Sequence, residues 1–259
     1  MRNDFIGVVP AAGRAVRLSP LRYPKELLPI VYELDGEERR AQPMTAIEYT
    51  LRAMRQAELQ RVLLVVSPAK ADFFSLLGGG GDYGINLGYL IQENADGLAR
   101  AVDVAYPWVG ERYVCLALPD TIYQPLHGPA LLCREIVSRR ADVMLGVFPT
   151  DRPEQLGPVT MDRHGRVLQV QEKPARTDVR NTWGMAVWSP TFGHFLHEHL
   201  AAVPQTQDVH LGELFDKAIH AGLKVEAHFF AGGSYRDAGT PEGLASLLLR
   251  PPPREPHEG

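Results

Sequence analysis

The sequence predicts an α/β protein built on one mixed, mostly parallel sheet with helices on both faces. Through the first 150 residues, short apolar runs of strand length alternate with longer segments of helical period. Those runs are continuous, not alternating, as in strands covered on both faces. The first, Phe5-Ile6-Gly7-Val8-Val9-Pro10, leads into a loop rich in Gly, Arg and Pro. Pro43 is expected to open a helix reaching about Glu58, with Met44, Ile47, Leu51 and Met54 on one apolar face. Val62-Leu63-Leu64-Val65-Val66 reads as the next buried strand. A short helix ends at Gly78-Gly79-Gly80-Gly81, read as a flexible connector, and strand returns at 87–91. A helix from Gly97, a strand at 113–118, a helix through 131–137 and a strand at 142–148 complete the alternation.

After Thr150 the pattern changes. Asp162-Arg163-His164-Gly165, set between apolar runs at 159–161 and 167–170, is a hairpin turn signature. Strand 182–188, helices near 191–200 and 211–221, strand 225–230 and helix 241–249 follow. This second half reads as α+β insertions that extend the first sheet. The expected organisation is a single domain over 1–250, with halves at 1–150 and 151–250. The polar, Pro-rich tail 251–259 is expected to be disordered.

Composition narrows the function. The 259 residues are 45% hydrophobic and 22% charged with net charge −4, which disfavours a nucleic-acid partner. No stretch reaches the ~18 consecutive apolar residues of a membrane helix, and the first residues lack a signal peptide's apolar region. Two cysteines, Cys115 and Cys133, cannot build a disulfide framework. The expectation is a cytoplasmic protein with no membrane partner; homo-oligomerisation is left open. The 27 basic residues are 22 Arg and only five Lys, so a Lys marks a place where Arg would not serve.

Ligands of open α/β sheets collect at the carboxyl ends of strands. The loop after the first strand places Arg14, Arg17, Arg22 and Lys25 within twelve positions, behind the small residues Ala11-Ala12-Gly13. Small residues let backbone N–H groups approach an anion, and the cations suit a polyphosphate. The loop lacks Gly-Lys-Ser/Thr, and a G-x-G-x-x-G fingerprint would need glycine at Ala15 and Leu18, which argues against a dinucleotide-dependent oxidoreductase. His194, His197 and His199 lack the HExxH arrangement and read as helix surface.

Six segments then resemble, in order, the motifs of the sugar-1-phosphate nucleotidylyltransferases. Pro24-Lys25-Glu26-Leu27-Leu28-Pro29 followed by Pro43-Met44 is similar to the family's P-K-x-L-L-P and later P-M. Gln92-Glu93-Asn94-Ala95-Asp96-Gly97-Leu98-Ala99 is similar to Q-x-x-P-x-G-L-A, with Ala95 at the proline. Leu118-Pro119-Asp120 resembles L-G-D, and Gln171-Glu172-Lys173-Pro174 resembles V-E-K-P. Thr182-Trp183-Gly184 carries the later glycine, and Tyr235-Arg236-Asp237-Ala238-Gly239-Thr240-Pro241-Glu242 resembles W-x-D-x-G-T-P-E with Tyr for Trp.

The resemblance implies a Rossmann-like nucleotide-diphospho-sugar transferase fold. It also implies Mg²⁺-dependent transfer from a nucleoside triphosphate to a sugar 1-phosphate, with release of pyrophosphate. It leans towards uridylyl- and thymidylyltransferase members, hence UTP or dTTP. By the same resemblance 1–150 binds the nucleotide and 151–250 the sugar phosphate. Asp120 and Asp237 would hold Mg²⁺, Arg17 would grip the β- and γ-phosphates, and Lys25 would sit near the attacked phosphorus. Ala11, Ala12, Gly13, Arg14 and Ala15 would line the nucleotide, with Gln92 reading the base edge and Gly97 leaving room for the ring. Gly157, Glu172, Lys173 and Gly184 would face the sugar phosphate. Two of the five lysines thus carry roles, and Lys70, Lys217 and Lys224 are left as surface charge. Ala15-Val16 departs from the family's Gly-Thr, and this motivates a competing reading: a nucleotide-sugar sensor that has lost catalysis.

Overall fold

The computed structural model describes residues 4–13, 18, 23–35 and 40–249. Its elements in chain order are β1 (Phe5–Pro10), β2 (Pro29–Asp35), β3 (Arg40–Thr45), α1 (Ala46–Gln56), β4 (Arg61–Val66) and α2 (Asp72–Leu77). Next come β5 (Asn86–Ile91), α3 (Leu98–Asp103), α4 (Tyr106–Val109), β6 (Tyr113–Ala117), β7 (Thr121–Gln124), α5 (Gly128–Arg139) and β8 (Val143–Pro149). The hairpin β9 (Val159–Met161) and β10 (Val167–Val170) precedes β11 (Asn181–Trp188), α6 (Pro190–Ala201) and α7 (Leu211–His220). β12 (Val225–Phe229), β13 (Ser234–Asp237) and α8 (Pro241–Leu249) complete the described chain.

Seven strands form the main sheet in the order β12-β8-β11-β6-β1-β4-β5. β11 runs antiparallel to both its neighbours, while the remaining pairs are parallel. β11 and β12 extend the sheet from the second half of the chain, as the sequence predicts. The alternation of side chains along each strand divides the core between two faces. Ile6 and Val8 of β1 join the face covered by α3, α6 and α7, whereas Phe5 and Val9 join the face covered by α1, α2 and α5. Leu51 and Met54 of α1 are fully buried there. Truncating such a leucine to alanine costs roughly 2–5 kcal/mol.

Two expectations need correction. Pro43 does not open a helix: it lies in β3, opposite Tyr32 of β2. The helix starts at Ala46 because extended Thr45 caps it, its hydroxyl accepting from Glu48 N and Glu48's carboxylate accepting from Thr45 N at 2.7 Å. Proline is tolerated in β3 because the β2–β3 ribbon is two-stranded among the described residues. The Gly78–Gly81 stretch is a hydrogen-bonded turn and not a loose connector. Gly79 and Gly80 carbonyls accept from Leu87 N and Ile85 N, and Gly80 adopts φ +85° where a Cβ would strike Ile85.

Candidate active site

The carboxyl ends of β1, β5 and β6, with the segment that follows β8, open into a cavity of about 560 Å³. Because β11 runs against its neighbours, its first residues, Thr182 and Trp183, reach the same end. At the centre, Lys25 makes an ion pair with the Asp120 carboxylate, with 14% and 16% of the two side chains exposed. Burial works against the Lys25 charge, but Asp120 outweighs it, with help from Glu26 and Asp237, and holds the ammonium above the usual lysine range.

A short ribbon brings the second carboxylate to this point. β13 pairs antiparallel with β7 so that Asp237 lies opposite Thr121, and Ala238 N donates to the Asp120 carbonyl at 2.8 Å. Asp237 Oδ1 accepts the Gly239 N–H at 2.6 Å. A side chain at Gly239 would place its Cβ 2.7 Å from Asp237 Oδ1 and 2.9 Å from Lys25 Nζ and would displace the charged cluster. Tyr235, on the same strand, lines the cavity; burial and the facing Asp237 and Asp120 carboxylates push its phenol well above the usual range and keep it neutral.

One wall holds Ala12, Gly13, Gln92 and Gly97. Gln92 is buried; its backbone N–H donates to Val66 O, and its side-chain amide donates to the Asp96 carboxylate. A carboxylate only accepts, which assigns the NH₂ to Asp96 and leaves the amide oxygen as the remaining acceptor. Gly97 caps α3 at φ +99°, where a Cβ would come 2.9 Å from Asp208 Oδ1.

The facing wall holds Gly157, Glu172, Lys173 and Trp183. Lys173 Nζ lies 3.1 Å from Glu172 Oε1, and His210 Nδ1 lies 3.9 Å from the same oxygen. Lys173 is held at a left-handed φ of +43° by its N–H to the Leu156 carbonyl at 2.8 Å. The Trp183 indole lies edge-on to Phe215 and against Gly157, where a Cβ would collide with the indole nitrogen.

A family model described as nucleotidyl transferase matches residues 6–249 of this chain. The chain belongs to the nucleotidyl transferase family. It is 33% identical over 173 residues to a glucose-1-phosphate thymidylyltransferase of Xanthomonas campestris pv. campestris, covering 66% of this chain and 55% of that protein. The chain thus spans about half the length of the curated relatives it matches first. A sucrose-bound structure from Bacillus anthracis, assigned to glucose-1-phosphate thymidylyltransferase, superposes with TM-score 0.82 at 19% identity, covering 97% of this chain and 98% of that one. UTP-bound UGPase from Acinetobacter baumannii superposes with TM-score 0.72 at 20% identity, over 94% and 92% of the two chains. These likenesses establish the Rossmann-like mixed α/β fold of the family. No helix among the described residues is long and apolar enough to cross a membrane.

Of the residues expected in this nucleotidyl transferase's site, Lys25, Asp120, Asp237, Ala12, Gly13, Gln92, Gly97, Gly157, Glu172 and Lys173 line one cavity. Arg14, Ala15 and Arg17, with Val16 and Arg22, lie outside the described residues. Two expected residues stand behind the wall. Ala11 is buried, with its N–H on Val65 O and its carbonyl on Lys70. Gly184 sits at a register shift in β11, where a Cβ would meet the Tyr235 ring at 2.5 Å; it seats that ring and does not face the cavity. Gly157 reaches the cavity, but its N–H donates to Thr182 Oγ1 and its carbonyl accepts from Trp183 N, so it serves as the seat of the indole.

Sequence reasoning missed Glu26, Gly239, His210 and, above all, Lys70. Lys70 is not surface charge: it is 7% exposed, with Nζ 2.9 Å from Glu26 Oε1 and 2.5 Å from Ala11 O. The scarcity of lysine was a usable signal for it. Lys217 and Lys224 do lie at the surface, against His199 and Glu226.

Proposed function

We propose that this nucleotidyl transferase moves a nucleoside monophosphate from a nucleoside triphosphate to a sugar 1-phosphate. A phosphate oxygen of the sugar 1-phosphate attacks the α-phosphorus, the bond to the β-phosphate oxygen breaks, and pyrophosphate leaves. The observation that carries this reading is the Lys25 ammonium held beside Asp120 and Asp237 where the two walls meet. Two polyanions repel each other, so catalysis requires positioning and charge neutralisation. Lys25 would supply a fixed cation at the meeting point.

Asp120 and Asp237 fit Mg²⁺, which takes hard oxygen ligands and is commonly bound by one or two carboxylates together with substrate phosphates. When bound, the ion would neutralise phosphate charge. Ala12 and Gly13 offer backbone to the phosphates, and Arg17 is proposed to join them from outside the described residues. The Gln92 acceptor suits an imide N–H, which supports a pyrimidine, UTP or dTTP. Lys173 would hold the sugar phosphate, with Glu172 facing the sugar hydroxyls. We assign the activity to one domain over 1–250, with its nucleotide half at 1–150 and sugar half at 151–250, working in the cytoplasm.

A pyrophosphate-exchange screen of the nucleoside triphosphates against a panel of sugar 1-phosphates with Mg²⁺ tests the reading. Turnover with UTP or dTTP is expected. Absence of turnover with every pair would overturn it.

A further inference from the structure

Lys70 lies two residues before α2, and its side chain runs back under the cavity. Its Nζ donates to the Ala11 carbonyl at 2.5 Å and to Glu26 Oε1 at 2.9 Å, and it stands 5.8 Å from the centre of the Phe73 ring. Glu26 is itself only 2% exposed. One buried ammonium thus joins three segments distant in sequence: the end of β1, the segment before α2 and the turn that carries Lys25. Lys70 does not line the cavity, whereas its partner Glu26 reaches the cavity wall, as do the neighbouring Lys25, Ala12 and Gly13.

Placing a charge pair there is a poor way to gain stability. Desolvating two ions costs about as much as their attraction returns, and well-packed apolar residues commonly replace such pairs without loss of stability. Chemistry also explains why the cation is Lys in a chain that otherwise uses Arg. A compact ammonium can bond a carbonyl and a carboxylate from one point, whereas a planar guanidinium needs a wider space.

We propose that Lys70 and Glu26 form a positioning brace for the nucleotide side of the site. Through Ala11 it sets the backbone of Ala12 and Gly13, and through Glu26 it sets the turn that aims Lys25 at Asp120 and Asp237. Lys70 stands outside the cavity lining and acts through its neighbours, with Glu26 the member of the pair that reaches the wall. The brace rests on the nucleotidyl-transfer reading above, and it makes a selective demand: disturbing it should affect the nucleoside triphosphate and leave the sugar 1-phosphate alone.

The test compares the wild-type chain with Lys70→Arg, Lys70→Met, Glu26→Gln and the double variant Lys70→Met/Glu26→Met. Thermal melting, steady-state kinetics in both substrates and calorimetric titration with UTP and dTTP are measured. The double variant should melt no lower than the wild type. Its KM and Kd for the triphosphate should nevertheless rise about tenfold and its kcat/KM fall about 100-fold, the scale expected of small misplacements. KM for the sugar 1-phosphate should not move, and Lys70→Arg should not restore activity. Wild-type triphosphate binding and kcat in the double variant would overturn the brace, as would a rise in both KM values together. Loss of folding in the double variant would also overturn it, because the pair would then be holding the fold. A wild-type chain that binds triphosphate without turnover would remove the transfer reading alone, and the brace would still be judged by the loss of triphosphate affinity in Glu26→Gln.

Discussion

On the β1 side of the cavity, Lys25 and Lys70 leave 14% and 9% of their side chains exposed, and each is pressed against a buried or half-buried carboxylate. Across the cavity, Lys173 leaves 44% exposed beside Glu172. The first pair is held by the carboxyl ends of parallel strands and by the turn before β2, inside the packed sheet. Lys173 stands after the β9–β10 hairpin, at a left-handed residue on the rim. The same side chain therefore does different work on the two walls. Where backbone is over-determined by the sheet, a lysine can be fixed as part of a rigid cluster; on an insertion it remains largely solvated. This contrast suits a reaction whose attacked centre must be rigid while the acceptor sugar is free to differ.

The contrast would break most sharply at the rigid cluster. Lys25→Met and Asp237→Asn are each expected to lower kcat by on the order of 10³, as for loss of a fixed electrostatic group. Pyrophosphate release under saturating substrates is the measurement, and near-wild-type turnover in either variant would remove that residue's assigned role. Gly157→Ala probes the opposite wall. Its Cβ would collide with the Trp183 indole, so KM for the sugar 1-phosphate should rise while that for the triphosphate stays constant. Overpacking of this kind also costs about 1–3 kcal/mol, readable as a lowered melting temperature.

Lys173→Met should be gentler than Lys25→Met because its ammonium is already shared with water. About a tenfold rise in KM for the sugar 1-phosphate is expected, the scale of one charge-assisted hydrogen bond. A loss as large as that of Lys25→Met would erase the distinction between the two walls. The smallest effect belongs to the hairpin that carries the outer wall. The exposed Asp162 carboxylate accepts N–H bonds from His164 and Arg166 at 2.8 and 3.0 Å, and these hold its carboxyl below the usual range. A depressed folded-state pKa contributes stability above the unfolded value of about 4 and loses it as pH falls through the folded value. The melting difference between wild type and Asp162→Ala should accordingly be full at neutral pH and shrink in acid.

Much of this site was legible in the chain. Lys25, Gln92, Asp120, Glu172, Lys173 and Asp237 were each marked by a short local motif next to a strand end, and all six line one cavity. Reading failed where the answer depended on a distant partner. Ala11 and Gly184 belong to the right motifs, yet the fold places Val65 O on the Ala11 N–H and the Tyr235 ring against Gly184. The β2–β3 hairpin was missed because Pro43 signals a helix start equally well, and only the Thr45–Glu48 box decides where that start falls. The Asx-type bond from Gly239 N to Asp237 shows that a turn residue and a site residue can be one and the same.

The amino-acid sequence by itself determined the order of the main-sheet strands, the extended sheet and the charged motifs at the strand ends. These follow from periodicity and from chemistry within a few neighbouring residues. Only the tertiary structure decided which lysines are buried. Lys70 meets Glu26 across 44 positions and Ala11 across 59, and whether a charge is solvated or sealed in depends on what the folded chain packs around it.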